Sequence, residues 1–136
     1  MSDRARKPVP VPAPESVPYW KAAKRHRLEL PHCNACGKFW FPPSRACPHC
    51  LATDFDFLAV SGRGRVFSFV IFHRIYHPAF ATEVPYVVAL VELEEGPRLL
   101  SNIVGIEPQA VACEMPVKVV FDDVTEDVAV PKFTPL

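Results

Sequence analysis

The stretch that decides the fold is CNACGKFWFPPSRACPHC, which runs from Cys33 to Cys50 and holds two Cys-x-x-Cys pairs separated by ten residues. A tetrahedral metal ion takes one ligand pair from each of two tight turns, whose backbone N–H groups also point at the thiolates. Gly37 follows the first pair, where a positive φ costs glycine little, and Pro48 lies inside the second. The spacing predicts a zinc ribbon with four ligands, Cys33, Cys36, Cys47 and Cys50.

Four thiolates leave no open coordination position for water or substrate, so we expect the zinc to be structural. Oxidised cysteine pairs and a thioredoxin-type redox pair are the alternatives. The redox pair needs a strand-to-helix junction in a βαβ pattern, and neither pair has one around it. We interpret His32 and His49, which adjoin the cluster, as surface neighbours of the ligands.

The composition indicates a folded protein of one compact domain with a small appendage. The chain has 136 residues, of which 49% are hydrophobic and 22% are charged, and its apolar runs are too short to cross a bilayer. Fifteen basic residues balance fifteen acidic ones, which removes the positive field that usually drives nucleic-acid binding. The N-terminal stretch lacks the apolar segment of a secretion signal, so we expect a cytoplasmic protein.

Pattern changes along the chain predict four parts. Residues 1–14 are rich in charge and proline and are expected to be a flexible tail, followed by a basic helix over 15–30 with Ser16 as its N-cap. The ribbon takes 31–53, with a strand from Lys38 to Phe41, and a β domain takes 54–136.

Hydrophobic alternation of period two marks six segments of the β domain, and no amphipathic helix interrupts them. We therefore predict a mainly β chain that ends in a small antiparallel barrel of five to six strands, of the OB-fold type. Gly62 and Gly64 are expected at a sharp bend or bulge where a barrel strand begins. The predicted strands are Asp54–Val60, Gly64–Arg74, Val84–Leu93, Arg98–Val104, Val117–Val124 and Val128–Phe133.

Several motifs in one order resemble the DUF35 family. They are the basic helix, the two cysteine pairs, SGRGRVFSF from Ser61, PYVVALVELEEG from Pro85 and the closing PKFTP from Pro131. The resemblance runs from about Val17 to the C-terminus and implies a rubredoxin-like zinc ribbon joined to an OB-fold associated with acyl-CoA. One departure is Glu114, which stands where family members often have a glycine before the methionine.

The resemblance implies an accessory subunit that binds a thiolase-superfamily enzyme and helps to form its acyl-CoA site for C–C bond cleavage or formation. A heterotetramer of two partner and two accessory chains, with the CoA thioester bound jointly, is the assembly expected from the symmetry of thiolase dimers. Similar proteins join CoA-dependent hydratases or aldolases instead, which is the first alternative. The residues agree with a chain that is not an enzyme on its own, because acyl transfer needs an activated nucleophile with a base and no such set is evident. Cys113 is interpreted as a small buried residue without a role.

The candidate contacts to CoA or the partner are basic, histidine and aromatic side chains. An ordinary solvated face or half-buried loop explains many of them equally well. A second alternative is a nucleic-acid module that stacks bases on Trp40, Phe67 or Phe69. The candidate contacts are Lys21, Lys24, Arg25, Arg63, Arg65, His73, Arg74, Tyr76, His77 and Phe80.

Overall fold

A computed structural model describes residues 8–136 as a mainly β chain with one α-helix. Short 3-10 turns lie at Pro14–Ser16, Pro78–Phe80 and Pro108–Ala110. The helix and strands are α1 Val17–Lys24, β1 Glu29–Cys33, β2 Phe55–Ala59, β3 Arg63–Phe72, β4 Tyr86–Leu93, β5 Arg98–Ile103, β6 Pro116–Asp123 and β7 Ala129–Pro135.

Five strands close into a barrel in the order β3-β4-β5-β7-β6. Neighbouring strands are antiparallel except β5 and β7, which meet in parallel at Ile103 and Phe133. Alternate residues of β4 are buried, as expected when one face of a strand lines a barrel. This arrangement confirms the predicted OB-type barrel, with five strands.

The strand β3 closes the barrel because its beginning pairs with both β4 and β6. Gly64 lies opposite Leu93 and opposite Val117, and a Cβ on Gly64 would come within 2.3 Å of the Glu92 carbonyl oxygen. The register shift of β3 falls between Val66 and Ser68, so the bulge lies further along the strand than the predicted bend. Close backbone approach, rather than a bulge, is the reason for a glycine at position 64.

The ribbon has a two-stranded antiparallel sheet of β1 and β2, in which Cys33 lies opposite Phe55. This pairing differs from the expectation that the barrel domain begins at residue 54, because β2 completes the ribbon and the barrel starts with β3. The predicted strand over 38–41 is reduced to a single bridge between Phe39 and His32. The proline pair after it, whose Phe41–Pro42 peptide is cis, turns the chain back toward Cys47.

One hydrophobic core joins α1, the ribbon and the barrel. Tyr19, Leu28 and Leu30 are buried in the same cluster as Val66 and Phe133 of the barrel. Burial raises the pKa of the Tyr19 hydroxyl well above its usual range. The three parts therefore share an interior.

The predicted tail and helix are only partly as the sequence indicated, because α1 covers Val17–Lys24 and not 15–30, and β1 already begins at Glu29. Residues 1–7 of the tail lie outside the described residues, and residue 14 already belongs to a 3-10 turn. Ser16 stands before α1, but its hydroxyl donates back to the Ala13 carbonyl at 3.1 Å and caps no helical N–H. In the described part of the chain, the helix is too short to cross a membrane.

Candidate functional site

The four predicted ligand cysteines converge on one point, where their sulfurs all lie within 4.8 Å of one another. Cys33 Sγ is 3.6 Å from Cys50 Sγ, and Cys36 Sγ is 3.7 Å from Cys47 Sγ. A tetrahedral zinc ion with Zn–S bonds of about 2.3 Å requires S–S separations of about 3.8 Å. A disulfide requires about 2.0 Å, so the geometry fits a metal ion and not oxidised pairs.

Each cysteine pair lies on a tight turn, and the two turns repeat each other. In the first, Gly37 has φ +75° and its N–H donates to the Cys33 carbonyl at 2.9 Å. In the second, Leu51 has φ +67° and its N–H donates to the Cys47 carbonyl at 2.8 Å. The second turn thus holds a leucine in the left-handed conformation that usually takes a glycine, and no residue pattern predicts this.

Backbone N–H groups point at the sulfurs and favour thiolates. The N–H of Cys36 lies 3.4 Å from Cys33 Sγ, and that of His49 lies 3.4 Å from Cys47 Sγ. The donation from Cys36 is the largest cause that lowers the pKa of the Cys33 thiol to about 7. Zinc binds cysteine as the thiolate, so the lowered pKa of Cys33 favours ligation at this position.

A small core of its own holds the two turns together. Trp40 is 4% exposed and packs with Cys33 and Cys47, and its ring meets Phe55 edge-on at 5.1 Å. Its indole Nε1–H donates to Ser44 Oγ at 3.0 Å, so the buried ring leaves no polar group unpaired.

The candidates Lys21 and Lys24 on α1 and Arg25 at its C-cap are exposed. Lys24 Nζ lies 3.6 Å from Asp127 Oδ1 in an exposed ion pair. A groove of about 290 Å³ runs beside Lys21 and Lys24 and has Trp20 among its walls. These cations remain accessible to an anionic ligand or partner.

Arg63 and Arg65 lie at the beginning of β3 in different surroundings. Arg63 is exposed. Arg65 donates to Glu92 Oε1, at 3.0 Å from Nε and 2.6 Å from Nη2, and pairs with Glu114. Arg98 also donates to Glu92, at 2.9 Å, and these donors hold the pKa of the Glu92 carboxyl below its usual range.

The remaining candidates lie in the loop between β3 and β4. His73, Arg74 and Tyr76 are exposed, with the Arg74 guanidinium over the Tyr76 ring at 5.5 Å. His77 has an internal role, because its Nδ1 accepts the Ala79 N–H at 3.0 Å at the start of a 3-10 turn. Phe80 packs near His77 at 6.0 Å between ring centroids.

The candidate contacts do not form one constellation. Arg63 and His73 lie at opposite ends of β3, whose ten residues span up to roughly 30 Å. A cleft of about 510 Å³, which the sequence did not indicate, lies between the ribbon and the β4–β5 turn. Lys38 and His49 line one side of it and Glu95 the other. The sequence could not indicate this cleft because neither wall carries a recognisable motif.

Two family models match adjacent parts of the chain. The ChsH2 rubredoxin-like zinc ribbon domain matches residues 20–56, and the ChsH2 C-terminal OB-fold domain matches residues 58–122. A DUF35 domain-containing scaffold protein of Methanocaldococcus jannaschii is 36% identical over 79% of this chain and 77% of its own length. The chain belongs to the DUF35 family.

Other similar proteins are named as subunits of CoA enzymes. A probable enoyl-CoA hydratase alpha subunit of Thermomonospora curvata is 40% identical over 97% of this chain, which spans 41% of that protein. The benzoylsuccinyl-CoA thiolase subunit BbsA of Geobacter metallireducens is 30% identical over 70% of this chain and 57% of its own length. A solved structure titled Ltp2-ChsH2(DUF35) aldolase contains a chain with 40% identity and a TM-score of 0.86, over 93% of this chain and 98% of that one.

Glu114, which stands where the DUF35 pattern often has a glycine, holds the left-handed backbone conformation that glycine favours. Glu114 has φ +71°, its N–H donates to the Val66 carbonyl at 2.8 Å, and its carboxylate pairs with Arg65. The turn is therefore retained with a carboxylate added to it. Cys113, just before it, is exposed, so the expectation of a buried cysteine is wrong; the tight turn leaves its side chain outside the barrel.

The three aromatic residues considered for base stacking are poorly placed for it. Trp40 is buried in the ribbon, and Phe69 packs against the barrel core. Phe67 is 37% exposed, but the Arg98 guanidinium covers its ring at 3.8 Å. The described residues therefore lack the row of open aromatic faces that single-stranded nucleic acids stack on.

Proposed function

We propose that this chain is a non-catalytic accessory subunit that binds a thiolase-superfamily enzyme and completes its acyl-CoA site. The observation that carries the proposal is the match of the whole ribbon-plus-barrel unit to proteins named as subunits or scaffolds of CoA enzymes. A domain that recurs as part of larger assemblies contributes binding surface more readily than a complete active site.

In this proposal, a structural zinc ion is held by Cys33, Cys36, Cys47 and Cys50. The sulfur separations and the N–H groups directed at the thiolates support this ligand set. With four protein ligands the ion stiffens the ribbon and offers no position for substrate. Metal analysis of the purified chain should give one zinc per chain, and a value near zero would contradict the ligand assignment.

The proposed contacts to CoA or the partner are the accessible members of the candidate set. The helix and its C-cap supply Lys21, Lys24 and Arg25, which suit the phosphates of a CoA moiety. Arg63 and the exposed loop residues His73, Arg74 and Tyr76 suit the partner or the same ligand. Arg65 is left out because Glu92 and Glu114 already neutralise it, and His77 and Phe80 are left out because they stabilise the loop itself.

The test is co-expression of this chain with a thiolase-superfamily protein of the same organism, followed by size-exclusion chromatography and acyl-CoA turnover assays. We expect a stable complex, turnover that depends on both proteins, and none from this chain alone. Turnover of acyl-CoA by the isolated chain, or separate elution of the two proteins, would contradict the proposal.

A CoA-dependent hydratase or aldolase is the second candidate for the partner class. The 40% identity to a protein named as a hydratase alpha subunit, and to a chain in a structure titled as an aldolase, favours it. The same co-expression with a hydratase-type protein distinguishes the two, because each candidate requires the complex with its own partner class.

A further inference from the structure

A diagonal apolar strip crosses the outer face of β3, β4 and β5 between the polar residues Ser68 and Asn102, and we call this strip the apolar face. The inward residues of β4 are buried, so Val88 and Leu90 point outward. Leu90 lies opposite Leu100 of β5, and Val88 lies opposite Val70 of β3. Phe67 at the bulge extends the strip.

The apolar face is most open to solvent at its two ends. Leu100 on β5 is 68% exposed and Val70 on β3 is 54% exposed, and the half-buried Leu90 and Val88 of β4 connect them. The strip continues into the loop after β3, where Tyr76 is 69% exposed and packs on Phe72 at 5.5 Å. Contiguous exposed apolar surface of this kind marks an interaction site.

The side chains of the apolar face are suited to binding a protein and not a nucleic acid. In OB-folds the ligand face lies on the second and third barrel strands, which here are β4 and β5. In this chain the outward residues Val88, Leu90 and Leu100 are aliphatic and offer no ring for base stacking. The two rings that extend the strip each face a guanidinium, Phe67 that of Arg98 at 3.8 Å and Tyr76 that of Arg74 at 5.5 Å. The nearby cations Arg65 and Arg98 are bound to Glu92 and are not free for phosphates.

The shape of the apolar face favours a different protein, and not a second copy of this chain, as the partner that covers it. Three strands about 4.8 Å apart and eight residues long cover roughly 400 Å², about half of what each side of a stable interface buries. The outside of a closed barrel is convex, so two copies would touch along a narrow band and bury still less. A concave partner surface can cover the strip together with the adjoining loop.

We propose that the apolar face, which runs from Val70 through Val88 and Leu90 to Leu100, is the surface by which this chain docks onto a concave, aliphatic surface of its thiolase-superfamily partner. The inference rests on the proposed function. Association buries the exposed aliphatic side chains, and centrally buried residues of an interface carry most of its affinity.

Two charge insertions test the docking surface. Leu100→Glu and Val70→Glu each put a carboxylate at one exposed end of the strip, next to Leu90 or Val88, and both positions are exposed enough for the barrel to fold. Leu58→Glu is the matched control, because Leu58 is a 43% exposed leucine on β2 of the ribbon. Circular dichroism and thermal melting of each variant verify its fold, and titration calorimetry against the co-expressed thiolase-superfamily protein measures the dissociation constant.

We expect each of the two face variants to raise the dissociation constant at least about 30-fold and the control to change it less than about threefold. Should the wild-type chain bind the partner while Leu100→Glu and Val70→Glu bind equally well, this inference fails and the proposed function survives. Should the wild-type chain not bind, both fail. If Leu58→Glu weakens binding to the partner as much as the face variants do, the contact includes the ribbon and the inference is overturned.

Two further outcomes identify another occupant. Light scattering of the isolated chain should give a monomer; a dimer that Leu100→Glu dissociates would assign the face to a second copy. Fluorescence polarisation with an oligothymidine should give no binding. Binding that Leu100→Glu abolishes would assign the face to nucleic acid. Either result overturns the inference.

Discussion

Three residues other than glycine hold the left-handed backbone conformation in the described chain: His26, Leu51 and Glu114. This conformation costs an ordinary L-residue about 1–2 kcal/mol, so local contacts have to offset it. His26 stacks on a barrel phenylalanine and its Nε2 lies 2.8 Å from Asp123 Oδ1, while Leu51 completes the second cysteine turn. Each strained residue thus lies where the chain fastens one part of the structure to another.

The backbone strain at Glu114 can be measured by comparing two substitutions. Glu114→Ala and Glu114→Gly both remove the ion pair with Arg65, and only glycine accepts the φ of +71° without strain. We expect the glycine variant to exceed the alanine variant by about 1 kcal/mol in free energy of unfolding, measured by urea denaturation. Equal stabilities would mean that the turn relaxes and carries no strain.

The bridging carboxylate Glu92 makes stability depend on pH in the acid range. Arg98 and Arg65 lower the pKa of Glu92 in the folded state, so its contribution is complete above its unfolded pKa of about 4.3 and is lost as the pH falls through the lower folded value. Glu92→Gln should therefore be less stable than the wild type at pH 6, and the difference should shrink toward pH 3.

Urea denaturation of both proteins in parallel between pH 3 and 6 checks the contribution of Glu92. Loss of zinc at low pH affects both proteins alike and cancels in the difference. A difference that stays constant over this range would show that Glu92 does not change protonation with a shifted pKa.

The spacing of the cysteines was enough to predict the four zinc ligands, because ligand pairs on tight turns are local features of the chain. The exposure of Cys113 and the pairing of Arg65 could not be read in the same way. The exposure of Cys113 and the pair of Arg65 with Glu114 depend on the contact between β3 and the turn before β6, two segments about fifty residues apart in sequence, and no local pattern encodes that contact.

At the scale of elements, the sequence predicted strands more reliably than their partners. Alternation of period two marks Phe55–Ala59 as a strand wherever it pairs, and its proximity to the barrel strands suggested the barrel. The observed partner is β1, because Asn34 Nδ2 donates to Asp54 and Asp56 at 3.0 and 3.1 Å and fastens the first cysteine turn to β2. These two hydrogen bonds join residues twenty or more positions apart in sequence, so the alternation within the strand could not predict them.

Removing the metal should loosen the ribbon first. Without zinc the two turns lose their common ligand, and the small core around Trp40 is left with little to hold it. In a Trp20→Phe background, where Trp40 is the sole tryptophan, a strong chelator should shift the emission to the red and lower the melting temperature by more than about 10 °C.

Two cysteine variants separate metal loss from the loss of a thiol. Cys36→Ser removes a ligand and should reproduce the effect of the chelator, whereas Cys113→Ser removes an exposed cysteine outside the cluster and should melt like the wild type. Emission and melting that do not respond to the chelator would mean that zinc contributes nothing to the ribbon.

At the scale of the whole molecule, ribbon, helix and barrel are joined by one interior and should unfold together. Leu30 on β1 is 0% exposed and belongs to the cluster that includes Val66 and Phe133 of the barrel. Truncating a fully buried leucine removes apolar contacts and leaves a cavity, at a cost of about 2–5 kcal/mol. Because Leu30 lies between the parts, Leu30→Ala should destabilise all of them.

We expect the zinc-bound Leu30→Ala variant to lose about 3 kcal/mol and still to unfold in one transition. In the Trp20→Phe background, Trp40 emission should report the ribbon and far-ultraviolet circular dichroism the barrel, with coincident midpoints. Leu58→Ala, which truncates an exposed leucine of the paired strand β2, is the control and should change stability by less than about 0.5 kcal/mol. A lower midpoint for Trp40 alone would show that the ribbon unfolds independently, and the shared core would then be too weak to make the chain one cooperative unit.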